Sequence, residues 1–242
     1  MPALLAAATI ATQICYPLAS GTARDVLIVV VVCLFAAASL TTAWVGRGVR
    51  AGAALVGAGL VGLAAEIVGV NTGFPFGSYA YTGHLGPRLL GAPVLIGLAW
   101  LMFAWPAAVV AARLAGPVPL RVAATAWALA SWDLFLDPQL VAAGGWRWEH
   151  PRPHLPGVPT VPLSNLGGWL LVSLVVAALL QPVVRAPAPG DAVAITLFVW
   201  TWLSSVLALA AFLALPAAAA WGGAAMAAVA VPLLARLRIR SR

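Results

Sequence analysis

Two carboxylates four residues apart close an otherwise apolar segment in Trp132-Asp133-Leu134-Phe135-Leu136-Asp137-Pro138. On a helix that spacing puts Asp133 and Asp137 on one face. A third acid, Glu66, stands near the end of another apolar run. A charged side chain in the hydrocarbon region costs about 2.5 to 3.5 kcal/mol on insertion scales, so acids at such positions are candidates for proton handling by default. The competing structural reading is that they cap helices or bond to Trp and Tyr donors near the interface. It weighs most for Asp137, because Pro138 limits helix continuation and Asp before Pro is common turn chemistry.

Polar and aromatic residues gather around these acids. Gly69-Val70-Asn71-Thr72-Gly73-Phe74-Pro75-Phe76-Gly77-Ser78-Tyr79-Ala80-Tyr81-Thr82-Gly83 follows Glu66, and Gly145-Trp146-Arg147-Trp148-Glu149-His150 follows Asp137. The first stretch is too rich in glycine and aromatics for a simple connector. Irregular backbone near membrane depth is tolerated where it is buried in protein or lines a cavity, so a re-entrant or lid segment is expected. The aromatics also fit an interfacial belt of the kind that any membrane protein carries. Asn165 stands where the next apolar run begins, so an N-cap is as good a reading as a chemical role. His150 and His154 are spaced for a metal, but Pro151-Arg152-Pro153 lies between them, and no metal site is assigned. A Gly-rich phosphate loop, a nucleophile elbow, a CxxC pair and a dinucleotide fingerprint are all missing from the sequence, which leaves cofactor-free acid–base chemistry on an apolar substrate as the economical enzyme reading.

The elements that position these residues follow from composition. With 63% hydrophobic and 8% charged residues in 242, the chain has lipid as its natural solvent. A window of roughly 20 residues per span divides it into apolar runs at 3–19, 26–45, 51–70, 91–112, 119–136, 164–183, 192–214 and 217–235. The expected fold is therefore an all-α polytopic membrane helix bundle of eight spans, or seven if the last two merge, in a single transmembrane domain over 1–242. The net charge of +7 comes with thirteen arginines at the ends of apolar runs rather than on one basic face, which argues for topology signals and against nucleic acid as a partner. With eight spans, Arg47, Arg50, Arg113, Arg121, Arg185, Arg236, Arg238, Arg240 and Arg242 share one side, against Arg24, Arg88, Arg147 and Arg152 on the other. Nine against four places both termini in the cytoplasm of a multi-pass cell-membrane protein. The loops at 71–90 and 137–163 then share the outer face with all three acids.

At these residues the chain resembles the CruF-type carotenoid hydratases. Four signatures occur in the family's order: Glu66 through Tyr81, Trp132 through Pro138, Gly145-Trp146-Arg147-Trp148, and Asn165-Leu166-Gly167-Gly168-Trp169. They span a motif-bearing core of about 66–169. The segment His154 to Ser164 departs from the pattern, carrying prolines and aliphatics where aromatics are expected. The resemblance implies cofactor-free addition of water across the terminal C1=C2 bond of an acyclic carotenoid end of the lycopene, γ-carotene or bacterioruberin-precursor type. The partners it implies are a carotenoid, the bilayer and other enzymes of the pathway.

That chemistry needs an acid strong enough to protonate a trisubstituted alkene and a base to take a proton from the captured water. A carboxyl in apolar surroundings beside other carboxylates holds a proton that it would lose in water. Asp133 is the expected donor, with Asp137 sharing or relaying the proton and Glu66 as the base, and the residues alone leave the acid and base roles exchangeable. Asn71, Phe74, Phe76, Tyr79, Tyr81, Trp132, Trp146, Trp148 and Asn165 are the expected substrate-binding residues, the aromatic faces among them stabilising a cation. Two other classes compete: a carrier or channel for a lipid or protons, in which the acids form a relay, and a non-catalytic scaffold for carotenoid enzymes, in which they are dispensable.

Overall fold

The computed structural model describes residues 1–82, 85–114 and 116–240, so Gly83 of the aromatic loop and Arg242 of the orientation count lie outside the described residues. The chain runs α1 (Pro2–Cys15), α2 (Gly21–Thr72), β1 (Tyr79–Tyr81), β2 (Arg88–Leu89), β3 (Ala92–Pro93), α3 (Val94–Arg113), α4 (Val118–Ala142), β4 (Trp146–Trp148), α5 (Leu163–Leu180), α6 (Asp191–Leu207) and α7 (Pro216–Arg240). A π-helical turn at Ala208–Phe212 prolongs α6. Five of these helices are long and apolar enough to cross a membrane. The fold is a polytopic membrane helix bundle.

At 52 residues, α2 would be about 78 Å long if straight, more than twice a hydrocarbon core of about 30 Å. It breaks at Gly48, where φ 76° and ψ −172° suit a residue without a Cβ. Leu40 and Trp44 of the first arm lie against Gly52 of the second, so the chain reverses there. The two arms, 21–47 and 49–72, correspond to the second and third apolar runs. Each of the eight runs thus holds a helix, although the fourth, 91–112, opens with strand β3 and becomes helical only at Val94.

α3 is apolar around its whole circumference and accordingly buried along most of its length, with Trp100, Phe103 and Trp105 fully enclosed. It packs against the second arm of α2, where Gly59 meets the Gly97 carbonyl and the Leu101 side chain, a small-residue contact of the kind membrane helices use for close approach. At the Arg113 end of α3 an ion cluster ties three elements together. Arg47 donates to both carboxylate oxygens of Asp191, at 2.7 and 3.0 Å, and Arg113 donates to the same group. The Arg47 guanidinium lies 5.4 Å from the centre of the Trp105 ring.

Asp191→Ala leaves two partly buried guanidinium groups near each other without their counter-charge. Removing one partner of a fully buried pair costs about 3 to 5 kcal/mol, and solvent reaching the two arginines brings the cost here below that. A clear fall in the thermal unfolding midpoint of the detergent-solubilised protein is expected; an unchanged midpoint would refute the stabilising role.

Candidate active site

The loops that follow α2 and α4 meet in a short antiparallel ribbon. β1 pairs with β4 in the register Tyr79↔Trp148, Ala80↔Arg147, Tyr81↔Trp146. Strand side chains alternate, so Tyr79, Tyr81, Trp146 and Trp148 are buried beneath the ribbon while Ala80 and Arg147 are exposed above it. The Trp148 indole donates to the Phe76 carbonyl at 3.1 Å, which ties the ribbon to the turn after α2. The stretch after Glu66 is thus a turn and a strand laid over the helix ends.

Glu66, on the last two turns of α2, is buried under this ribbon. The Tyr79 and Tyr81 hydroxyls donate to its Oε2 at 2.6 and 2.7 Å, and the Trp100 indole N–H reaches Oε1 at 3.5 Å. Burial, and then the charge of Glu66, push both phenols up from their ordinary pKa, so they remain protonated donors. Three donated hydrogen bonds converging on one carboxyl suit a carboxylate at this position. Gly69 permits the approach: a Cβ there would come within 2.8 Å of the Tyr79 hydroxyl and the Phe76 ring.

Asp133 and Asp137 lie one turn apart on α4, both buried. The helix continues through Pro138 to Ala142, so Asp137 is an interior helical residue rather than a turn residue. The Asn165 side-chain amide donates to Asp133 Oδ2 at 2.8 Å and to Asp137 Oδ2. Pro162 is the N-cap of α5, which frees Asn165 for this bridge. Both carboxyls turn toward one amide, and two anions so placed in a dry interior repel each other unless a proton lies between them.

Three cavities surround the acids. Glu66 and Asp137 line one of about 20 Å³, the volume of a single water, walled by Phe76, Tyr79, Tyr81, Trp100, Trp148 and Trp169 among others. Asp133 lines a separate cavity of about 20 Å³ on the side of α7, and its Oδ1 has no hydrogen-bond partner. A larger cavity of about 130 Å³ adjoins the first, sharing Ile96, Ala99, Leu136 and Trp146 with it.

The structure therefore brings together Glu66, Asp137, Phe76, Tyr79, Tyr81, Trp146, Trp148 and Asn165 at one cavity, with Asp133 directly behind. Trp132 lines the larger cavity and packs on Phe103 and Trp169. Asn71 and Phe74 lie apart from these cavities. The Asn71 amide donates to the carbonyls of Ile67 and Leu90, and Phe74 is 64% exposed. Sequence reasoning missed Trp100 and passed over Trp169, whose rings stack at 4.0 Å beside Glu66. Trp169 lay in a quoted motif; Trp100 carried no signal beyond its place in an apolar run. The ribbon itself was signalled by the alternation in Tyr79-Ala80-Tyr81 and Trp146-Arg147-Trp148.

Fold and site define a membrane helix bundle with a buried three-carboxyl centre roofed by aromatics. The chain belongs to the carotenoid biosynthesis protein family, which it matches over residues 25–234. It is 38% identical over 130 residues to the bisanhydrobacterioruberin hydratase of Haloarcula japonica, a match that covers 50% of this chain and 42% of that protein. No solved structure matches it.

Proposed function

We propose that the protein adds water across the terminal C1=C2 bond of an acyclic carotenoid end, giving a tertiary alcohol. Asp137, holding the proton that it shares with Asp133, delivers it to C2; the π electrons form the new C–H bond and leave a tertiary cation at C1. Water in the cavity between Asp137 and Glu66 attacks C1, and Glu66 takes its proton. That proton returns to Asp137 through the same cavity, so one alkene and one water are consumed and every protein group is restored. The ring faces of Trp146, Trp148 and Trp100 stabilise the cation by about 2 kcal/mol or more in the absence of competing water.

One observation carries this reading: an acid and a base face the same water-sized cavity, which adjoins an apolar cavity large enough for a substrate terminus. Family membership and the name of the Haloarcula relative support the substrate class. The expectation from sequence made Asp133 the donor. Its position on the other cavity favours Asp137 in that role, with Asp133 as the partner that keeps the pair singly protonated. The nine-to-four arginine bias supports an orientation with both termini cytoplasmic and the site toward the outer face.

The test is expression in cells that accumulate acyclic carotenoids, with isotopic water supplied. Mass spectrometry should find a carotenoid that has gained one labelled oxygen. Failure to label any acyclic end would overturn the proposal in favour of a carrier or scaffold.

A further inference from the structure

Pro138 stands inside α4, where a proline removes a hydrogen bond that the helix would otherwise make. It has no N–H to give to the carbonyl one turn back, that of Leu134, and its ring crowds that carbonyl out of line. Leu134 and Pro138 both line the cavity of about 20 Å³ that Asp133 faces on the side of α7. Asp133 is 1% exposed, and its Oδ1 has no hydrogen-bond partner among the described residues. Two acceptors short of a donor, one on a side chain and one on the backbone, thus belong to the wall of one cavity.

The other lining side chains cannot supply what these two lack. Besides Asp133, only Asn165 and Trp221 bring polar side-chain atoms to the wall. The Asn165 amide donates to Oδ2 of Asp133 and to Oδ2 of Asp137, and the Trp221 indole donates to the Pro156 carbonyl at 3.0 Å. The loop before α5 is committed too: the backbone N–H of Val158 donates to the Leu155 carbonyl, that of Leu163 to Pro153 and that of Asn165 to Pro162. A group seated here has to bring its own donors. A single water fits the volume and needs roughly two to four polar partners, of which the two acceptors supply the minimum.

The same count bears on the aspartate pair. Asp137 takes hydrogen bonds from Asn165 and from Trp146, whereas Asp133 takes one from Asn165 alone. Donors hold a carboxyl in its charged form. With these partners only, the pair's proton rests on Asp133, away from the cavity that Asp137 shares with Glu66.

We propose that one water molecule occupies the cavity between α4, α7 and the loop before α5, donating to Asp133 Oδ1 and to the Leu134 carbonyl, and that it lets the pair's proton pass to Asp137. The water evens the number of donors on the two carboxyls, and Pro138 is a positioning residue that leaves a carbonyl free to hold it. The proton's passage to Asp137 rests on the hydratase reading; the water site does not.

The experiment uses the full chain in nanodiscs, isotopically labelled at the aspartate carboxyl carbons. Asp25, Asp133, Asp137 and Asp191 are the aspartates, and single Asp→Asn variants assign their signals. Solid-state NMR reads the transfer of magnetisation from water protons to each carbon, and the carbon's shift, which separates a carboxylate from a carboxylic acid. Asp133 should receive magnetisation from water, and Asp133 and Asp137 should both lie between the two limits. Val158→Ile adds one methylene to the cavity wall and displaces the water. The transfer to Asp133 should vanish and its carbon should move to the acid limit. Labelled-oxygen incorporation should fall by about tenfold, the weight of one lost hydrogen bond to a charged group, with the unfolding midpoint held or raised. Pro138→Ala returns an N–H to the Leu134 carbonyl, so it should weaken the transfer and the rate while raising the midpoint. An unchanged Asp133 signal and rate in Val158→Ile would make the cavity a packing void and overturn the proposal. Loss of the water signal with both carbons unmoved would overturn its hold on the proton. Failure of the unaltered protein to hydrate any acyclic end would overturn the hydratase reading, while the NMR transfer, which needs no turnover, still decides the water site.

Discussion

Asp137→Asn is expected to lower carotenoid hydration by about three to four orders of magnitude, at the upper end of what a positioned general acid contributes, with no loss of inserted protein. The substitution preserves shape. An asparagine at 137 can turn its carbonyl toward the Asn165 amide, which now donates to the Asp137 carboxylate, and its own amide toward Asp133. The network survives; only the proton that the proposed mechanism draws from Asp137 is lost. Labelled-oxygen incorporation normalised to inserted protein is the measurement. Asp133→Asn serves as the comparison, because Asp133 lines the other cavity. It should fall by less, and a rate for Asp137→Asn within tenfold of the unaltered protein would move the acid role to Asp133.

On the proposed mechanism, in which Glu66 meets the attacking water and not the polyene, Glu66→Gln should cost about a thousandfold, in kcat rather than KM. Two phenolic O–H donors converge on one oxygen of Glu66. A glutamine carbonyl can accept both, so the fold should hold, but it cannot take a proton from water. The paired control is Tyr79→Phe with Tyr81→Phe, which keeps the carboxylate and removes two hydrogen bonds to a charged group, each worth about 1.5 to 3 kcal/mol. The control should lower the unfolding midpoint and reduce the rate far less than Glu66→Gln does. If the two variants lose activity equally while both remain folded, Glu66 acts through its hydrogen-bond network and not as a base.

Much of this protein is legible from its residues. The lengths of the apolar runs forecast the helical segments, because a helix must satisfy its own backbone in lipid and so needs an unbroken apolar stretch. Even the break in α2 falls where Arg47 and Arg50 interrupt the apolar pattern around Gly46 and Gly48. Four polar signatures in order were sufficient to indicate the family that the match over residues 25–234 confirms. The site was harder. Trp100 is one aromatic among many in a helix that is apolar on every side, and nothing local distinguishes it from packing. Asn165 at the head of α5 looks like a cap, and only the position of α4 beside it turns its amide to the two aspartates.

The sequence by itself determined the solvent, the class of fold, the helical segments and the gathering of three acids and an aromatic set at one end. All of these follow from local composition and from counting crossings. The tertiary structure alone decided the β1–β4 register, the assignment of Asp137 and Glu66 to one cavity and Asp133 to another, and the adjoining larger chamber. Those features depend on contacts such as Glu66 with Trp100, 34 residues apart, and Asp133 with Asn165, 32 apart. A hydropathy pattern records how each helix meets lipid, whereas a buried carboxyl's role is set by the neighbours that the packing of other helices brings to it.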